Sequence, residues 1–243
     1  MVICSKKKAS SEEDVEKEYG RTWIWTAIEP NTRLLLCHFI GDRTLDDCRQ
    51  FFNKLLPRLE NKPLFVSDEL PHYESVIFEN YHNETEVPRT GKRGRPKKPI
   101  KVIDSEIDYA VVHKTREKGK IIDVNTRIVF GDEESINARL NKTISNSINT
   151  AYIERSNLTL RQNDAHLQRK TLKFAKEMEF LNAKLNIIIL HYNFIKPHWS
   201  LQLKTEKGMI LRTPALKANL TKSNWTIKYA FSYPVKELYR YVN

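Results

Sequence analysis

Cysteine is scarce in this sequence: three residues, Cys4, Cys37 and Cys48, with no C-x-x-C spacing among them. That pattern argues against a disulfide framework and against a structural zinc site. Cys37-His38 lies inside an apolar run and reads as strand core rather than as a metal site. No apolar stretch approaches the roughly 20 residues that span a bilayer, and Ile187 to Leu190 is only a short core segment. Met1 to Cys4 runs almost at once into Lys6-Lys7-Lys8, which leaves too little apolar length for a cleaved signal peptide. No internal repeat is present. These absences predict a chain of a reducing intracellular compartment, with no membrane partner.

Positive charge is in excess. The 41 Lys and Arg outnumber the 30 Asp and Glu and leave a net charge of +11, which favours a polyanionic partner. Ribosomal, RNA-binding and membrane-surface proteins share that composition, so it does not choose among polyanions. With 40% hydrophobic and 29% charged residues the chain has the balance of an ordinary soluble protein. Its 243 residues can bury a sizeable core, as one decorated domain or as two.

Residues 5–20 are a charged stretch suited to a solvated hairpin loop. Two apolar runs follow, Thr22 to Ile28 and Leu34 to Ile40, and Glu29-Pro30-Asn31-Thr32 between them predicts an antiparallel hairpin. The second run is near-continuous, as expected for burial on both faces. Thr44 with Asp47 three residues on predicts a helix start close to a capping box. Leu45, Cys48, Phe51, Phe52, Leu55, Leu56 and Leu59 form one apolar stripe behind it, with Pro57 near the end. A short run, Leu64 to Asp68, then ends in a carboxylate. Residues 84–101 are poor in large apolar side chains and densely basic. Short strands are expected at Tyr109 to His113, Ile121 to Val124 and Ile128 to Phe130. A helix with acidic residues near its start begins at Asp132, and a longer helical region, broken once, runs from about Thr150 to Leu190.

Three constellations carry chemistry. On a helix, Glu154, Asn157, Leu158 and Arg161 stand at offsets of three, four and seven and share a face. That face is either functional or simply solvated, with Arg161 bridging back toward Glu154. Asp68, at the C-terminal end of a buried strand, sits where open α/β sheets place ligands. It reads either as a turn-forming residue or as one of two carboxylates sharing a divalent cation. Two such ions clamp the attacking and leaving oxygens of a phosphodiester. The third is Gly91 to Pro99, whose core Arg93-Gly94-Arg95-Pro96 resembles an AT-hook. Its extended backbone suits two guanidinium groups to an A·T-rich minor groove, with Lys92, Lys97 and Lys98 on phosphates. The same segment also reads as a solvated linker.

Several ordered blocks resemble the insertion-sequence-one family of DDE transposases: Trp23-Ile24-Trp25, Gly41-Asp42-Arg43-Thr44, Ser67-Asp68 with Tyr73, Tyr152-Ile153-Glu154-Arg155 with Asn157, and His191-Tyr192-Asn193-Phe194 with Pro197-His198. Thr213-Pro214-Ala215-Leu216, Leu220-Thr221 and Trp225 are similar to the family's C-terminal end. The resemblance covers essentially the whole chain. It implies an RNase H-like α/β fold, a mixed sheet flanked by helices with an inserted basic loop and strand segment. The catalytic domain would occupy residues 1–200, the insert about 84–131 with its basic segment at 91–99, and a C-terminal tail 201–243. Asp68 and Glu154 would be the second aspartate and the glutamate of the catalytic triad, holding Mg2+ or Mn2+ for cleavage and transfer of DNA strands at element ends.

By the same resemblance, Asn157 and Arg161 would orient Glu154 or touch DNA, and the block from Tyr192 to His198 would lie near the active site. That block reads equally as a helix-to-turn junction ended by Pro197. The partners implied are double-stranded DNA and a second copy of the chain on paired ends, in a cytoplasmic, nucleoid-associated setting. The family's first aspartate lies on the opening strand, ahead of a Ser-Lys-Lys run. Here Ser5-Lys6-Lys7-Lys8 matches that run and the aspartate would precede Met1, so the 243-residue chain is expected to be inactive or impaired. The rival expectation is a non-enzymatic DNA-binding fragment or relic that uses the basic segment.

Overall fold

A computed structural model of the chain describes residues 2–4, 22–87, 98–118, 120–168, 173, 175–206 and 208–233. The contacts divide it into two compact units, Met1–Ala27 with Leu36–Asn157, and Ile28–Leu35 with Leu158–Asn243. The fold is mixed α/β, with helices and several small sheets.

In the first unit, β1 (Val2–Cys4) pairs antiparallel with β2 (Trp23–Ile28), and β3 (Leu35–Gly41) lies on the other side of β2. The expected hairpin is present. Its turn, which falls in the second unit, is held by the Glu29 carboxylate, which accepts the backbone N–H groups of Asn31 at 2.9 Å and Thr32 at 2.6 Å. The expected helix is α1 (Leu45–Leu55), where the Thr44 hydroxyl accepts the Asp47 N–H at 3.1 Å. Its buried stripe is Cys48, Phe51, Phe52 and Leu55, and Pro57 sits in the 3-10 turn Leu56–Arg58 that follows.

Next come β4 (Leu64–Asp68) and α2 (Pro71–Asn80), then β5 (His82–Thr85) paired antiparallel with β6 (Ile100–Ile103). Strand β7 (Asp108–Glu117) runs parallel to β4, and β8 (Lys120–Phe130) returns antiparallel to β7. The sequence reading expected three short strands here, but two long ones form. The β7–β8 register shifts twice, and such bulges insert an unpaired residue that breaks the period-two alternation along a strand.

One apolar cluster joins these elements. Trp25 packs 5.6 Å from Tyr73 and 5.8 Å from Phe51, and Phe52, Val76, Ile77, Tyr109 and Val111 complete it. Cys37 and Cys48 are part of it, so Cys37 is strand core as expected. Burial pushes the two thiols up to about 11 and about 12. Each large side chain buried here stabilises the unit by roughly 1.5–3 kcal/mol.

Helix α3 (Glu133–Leu140) starts at Asp132, whose carboxylate accepts the Ser135 N–H at 2.8 Å. The region expected as one broken helix is α4 (Ala151–Asn163), a 3-10 turn (Ala165–Leu167) and α5 (Met178–Leu190). Buried Asp164 closes α4 and binds the Lys184 ammonium at 2.6 Å.

The second unit continues through a π-helical turn (His191–Ile195), β9 (His198–Thr205), β10 (Gly208–Arg212), α6 (Pro214–Lys217) and α7 (Ile227–Ser232). Within the span read from sequence as a tail, the described residues from 201 to 233 contribute the end of β9, the strand β10 and two short helices. Helix α6 packs on the π turn and on β9. Among the described residues no helix is long and apolar enough to cross a membrane.

Candidate active site at the end of the parallel pair

The β4–β7 register places Leu64 opposite Asp108 and Asp68 opposite Val112. Register partners in neighbouring strands point to the same face, and successive residues alternate. Phe65, Ser67, Tyr109 and Val111 therefore share one face. There the Ser67 and Tyr109 hydroxyls meet at 2.8 Å, and α1 and α2 supply the apolar cluster. Val66, Asp68, Asp108, Ala110, Val112 and Lys114 share the other face.

That second face carries α3 at one end and α4 at the other. Near the start of β7, Asp108 is 1% exposed, and its Oδ2 accepts Ser135 Oγ at 2.7 Å and Arg139 Nε at 2.6 Å. Beyond its end of the paired stretch, Lys114 forms an ion pair with Glu154 in the first turn of α4. Thr150 donates its hydroxyl to the same Glu154 oxygen at 2.8 Å. The N-terminal turn of a helix is a favourable place for that negative charge. Lys114 stands two residues past the register partner of Asp68, so the two α-carbons are roughly 8 Å apart by strand geometry. Asp68 and Glu154, 86 positions apart in sequence numbering, thus meet the same end of the same sheet face.

Asp68 differs from Asp108 and Glu154 on this face in forming no ion pair with a described residue. Its Oδ1 is buried without a hydrogen-bond partner, as is the Oδ1 of Asp108, whose other oxygen is held. Tyr73 lies close by: burial first, and the Asp68 charge second, hold its phenol well above the usual range. Two hard oxygen donors with one oxygen unengaged suit a magnesium-type ion, which completes its shell with waters and phosphate oxygens. Among the described residues no group of three or more His, Cys, Asp and Glu could hold a metal ion.

Glu154 and Asn157 share a helix face only in part. The buried stripe of α4 is Ile153, Ser156, Asn157 and Leu160, whereas Leu158 is 51% exposed. Asn157 turns inward, where its Oδ1 accepts the Thr26 hydroxyl from β2 at 3.1 Å. It anchors the helix that carries Glu154. Arg161 lies seven residues after Glu154 on α4, in the second unit. Lys98 is exposed, and Lys92, Arg93, Arg95 and Lys97 lie outside the described residues.

The block at 191–198 has a structural role within the second unit. Asn193 is buried, accepts the Leu35 N–H at 3.0 Å and donates to the Leu35 carbonyl at 2.9 Å, completing a strand-like pair from a side-chain amide. His198 stacks edge-on with Tyr192 at 4.5 Å. Burial, then the Lys196 and Arg33 charges, lower it to about 4, so it is neutral at pH 7.

Two other blocks of the resemblance also pack on each other. The Arg43 guanidinium lies 4.7 Å from the Trp23 ring centroid, and the Trp25 indole donates to the Asp42 carbonyl at 3.1 Å. Residues that the sequence reading missed are Lys114, Thr150 and Thr26, the partners of Glu154 and Asn157. Register and packing bring Lys114 and Thr26 there, whereas Thr150 reaches Glu154 from four residues earlier, at the start of the same helix. Comparisons with family models, with curated proteins and with solved structures found no match.

Proposed function

We propose that the chain is a DDE transposase-like polynucleotidyl transferase acting on duplex DNA with a divalent cation. The observation that carries this reading is the convergence of Asp68 and Glu154 on one end of one sheet face, with Asp68 Oδ1 left without a partner. An RNase H-like sheet is supported by the antiparallel β1–β2–β3 set and the parallel β4–β7 pair. Trp25 of β2 shares an apolar cluster with Tyr109 of β7 on one side. On the other side α4 bonds both to Thr26 of β2 and to Lys114 of β7. Both observations fit two halves of a single layer.

In this reading Asp68 and Glu154 hold Mg2+, which supplies Lewis-acid polarisation of a phosphodiester and activation of a water or hydroxyl nucleophile. Lys114 and Thr150 fix the Glu154 carboxylate, and Asn157 fixes its helix. The basic residues Lys92, Arg93, Arg95, Lys97 and Lys98 would bind DNA.

Calorimetric titration with Mn2+ tests the site without requiring turnover. Binding by the 243-residue chain that Asp68→Asn and Glu154→Gln each weaken at least tenfold supports the reading; equal binding by all three proteins refutes it. Asp68 and Glu154 are the two carboxylates this reading assigns, and a two-ion clamp held by two carboxylates is expected to cleave DNA weakly or not at all. Robust Mg2+-dependent cleavage abolished by Glu154→Gln would overturn that expectation. The absence of a three-donor group among the described residues favours a second reading, a DNA-binding fragment without catalysis. That protein would bind duplex DNA with no response to Mn2+.

A further inference from the structure

Beyond Val112 the β7–β8 ribbon emerges from its helices. Residues 108–112 are buried, whereas 115–117 and 120–127 are exposed. A two-stranded ribbon turns its side chains alternately to two faces, and the register assigns them. Lys114 stands opposite Val124 and Arg116 opposite Ile121, on the face that carries Asp68. His113 opposite Asn125, Thr115 opposite Asp123, and Glu117 opposite Lys120 occupy the other face.

The charges are therefore sorted. Both carboxylates of the projecting ribbon, Glu117 and Asp123, fall on the far face, where Lys120 has Glu117 directly across the ladder. The near face has Lys114 and Arg116 and no acid of the ribbon. Arg116 is exposed, forms no ion pair with a described residue, and is flanked by apolar side chains, Ile121 at 45% and Val124 at 51% exposure. Cations beside exposed apolar groups match a backbone of phosphates and sugars. The spacing fits as well. Lys114 and Arg116 are two strand residues, roughly 6.6 Å, apart. One DNA strand presents a phosphate about every 3.4 Å along the helix axis, so that span covers about two. A two-stranded ribbon also has the width that a major groove admits.

We propose that this face of the β7–β8 ribbon is a track for the phosphate backbone of duplex DNA leading away from the Asp68–Glu154 end, with Arg116 its principal contact. The inference rests on the strand-transfer reading of that site, and it names where the substrate lies. Lys114 begins the track and also neutralises Glu154, so Arg116 is the residue that isolates the DNA contact.

The test is fluorescence anisotropy of a labelled duplex with the full 243-residue chain over a series of salt concentrations. Arg116→Ala is expected to weaken binding about three- to tenfold and to reduce the salt slope by about one. Lys120→Ala removes the same charge from the opposite face and is expected to change affinity less than about twofold. Arg116 is exposed, so an unchanged melting temperature confirms that both variants are folded. Arg116→Lys should recover most of the affinity. Equal losses from Arg116→Ala and Lys120→Ala, or no loss from either, overturn the track. Mn2+ binding that still depends on Asp68 then leaves the reading of the site standing. A chain that binds no duplex DNA overturns both.

Discussion

Asp68 and Asp108 stand on the same face of the same two parallel strands, at opposite ends. Asp108 belongs to the register row of Leu64 and Asp68 to that of Val112, four residues or roughly 13 Å along the strands. Their surroundings are opposed. Asp108 is buried, with Arg139 and Ser135 on its Oδ2, and the same guanidinium donates to the Lys62 carbonyl at 2.7 Å and the Glu106 carbonyl at 2.8 Å. Arg139 thereby ties α3 to the approaches of both strands. Asp68 has no such partner among the described residues. One carboxylate is committed to the fold, and the other is the one we propose to hold a ligand, a common trade of stability for function.

The largest effect should come from breaking the committed end. Arg139→Met leaves the Asp108 charge buried and unpaired, and the loss should be about 3–5 kcal/mol in chemical denaturation at pH 7. The double variant with Asp108→Asn should regain part of it. A loss below about 1 kcal/mol would remove the contrast between the two ends.

Gly131 sharpens the same end from the backbone side. Its φ is +88°, and an added Cβ would lie 2.0 Å from Asp108 Oδ1. Gly131→Ala should therefore cost about 2 kcal/mol or more, from left-handed strain and from displacement of the Asp108 carboxylate. If Asp108→Ala with Gly131→Ala is no better than the sum of the two single changes, the contact is not the cause.

The smallest effect belongs to the Asp68 end. Asp68→Asn removes a charge with no counter-ion among the described residues, so stability should stay within about 1 kcal/mol of the parent, with a gain the expected sign. A loss of several kcal/mol in the thermal midpoint analysis would make Asp68 a structural residue and erase the comparison.

Local chemistry made much of this legible. Thr44 and Asp132 cap their helices as short polar residues before acidic first turns do, and Glu29 closes its turn through its own backbone neighbourhood. The stripe of α1 followed directly from helical periodicity. The long β7–β8 ladder did not, because its bulges hide the alternation. Nor was the inward turn of Asn157 legible, since helical spacing groups it with Leu158 and the structure separates them.

The sequence by itself determined the chain's basic charge, its short cysteine supply, its capped helices and the two carboxylates worth watching. Each depends on residue type or on neighbours within a few positions. Only the tertiary structure decided which aspartate is spent on an ion pair and which is not, that Lys114 holds Glu154, and that Arg116 shares their face. Those outcomes depend on strand register, and a shift of one residue would send every one of these side chains to the other side of the sheet.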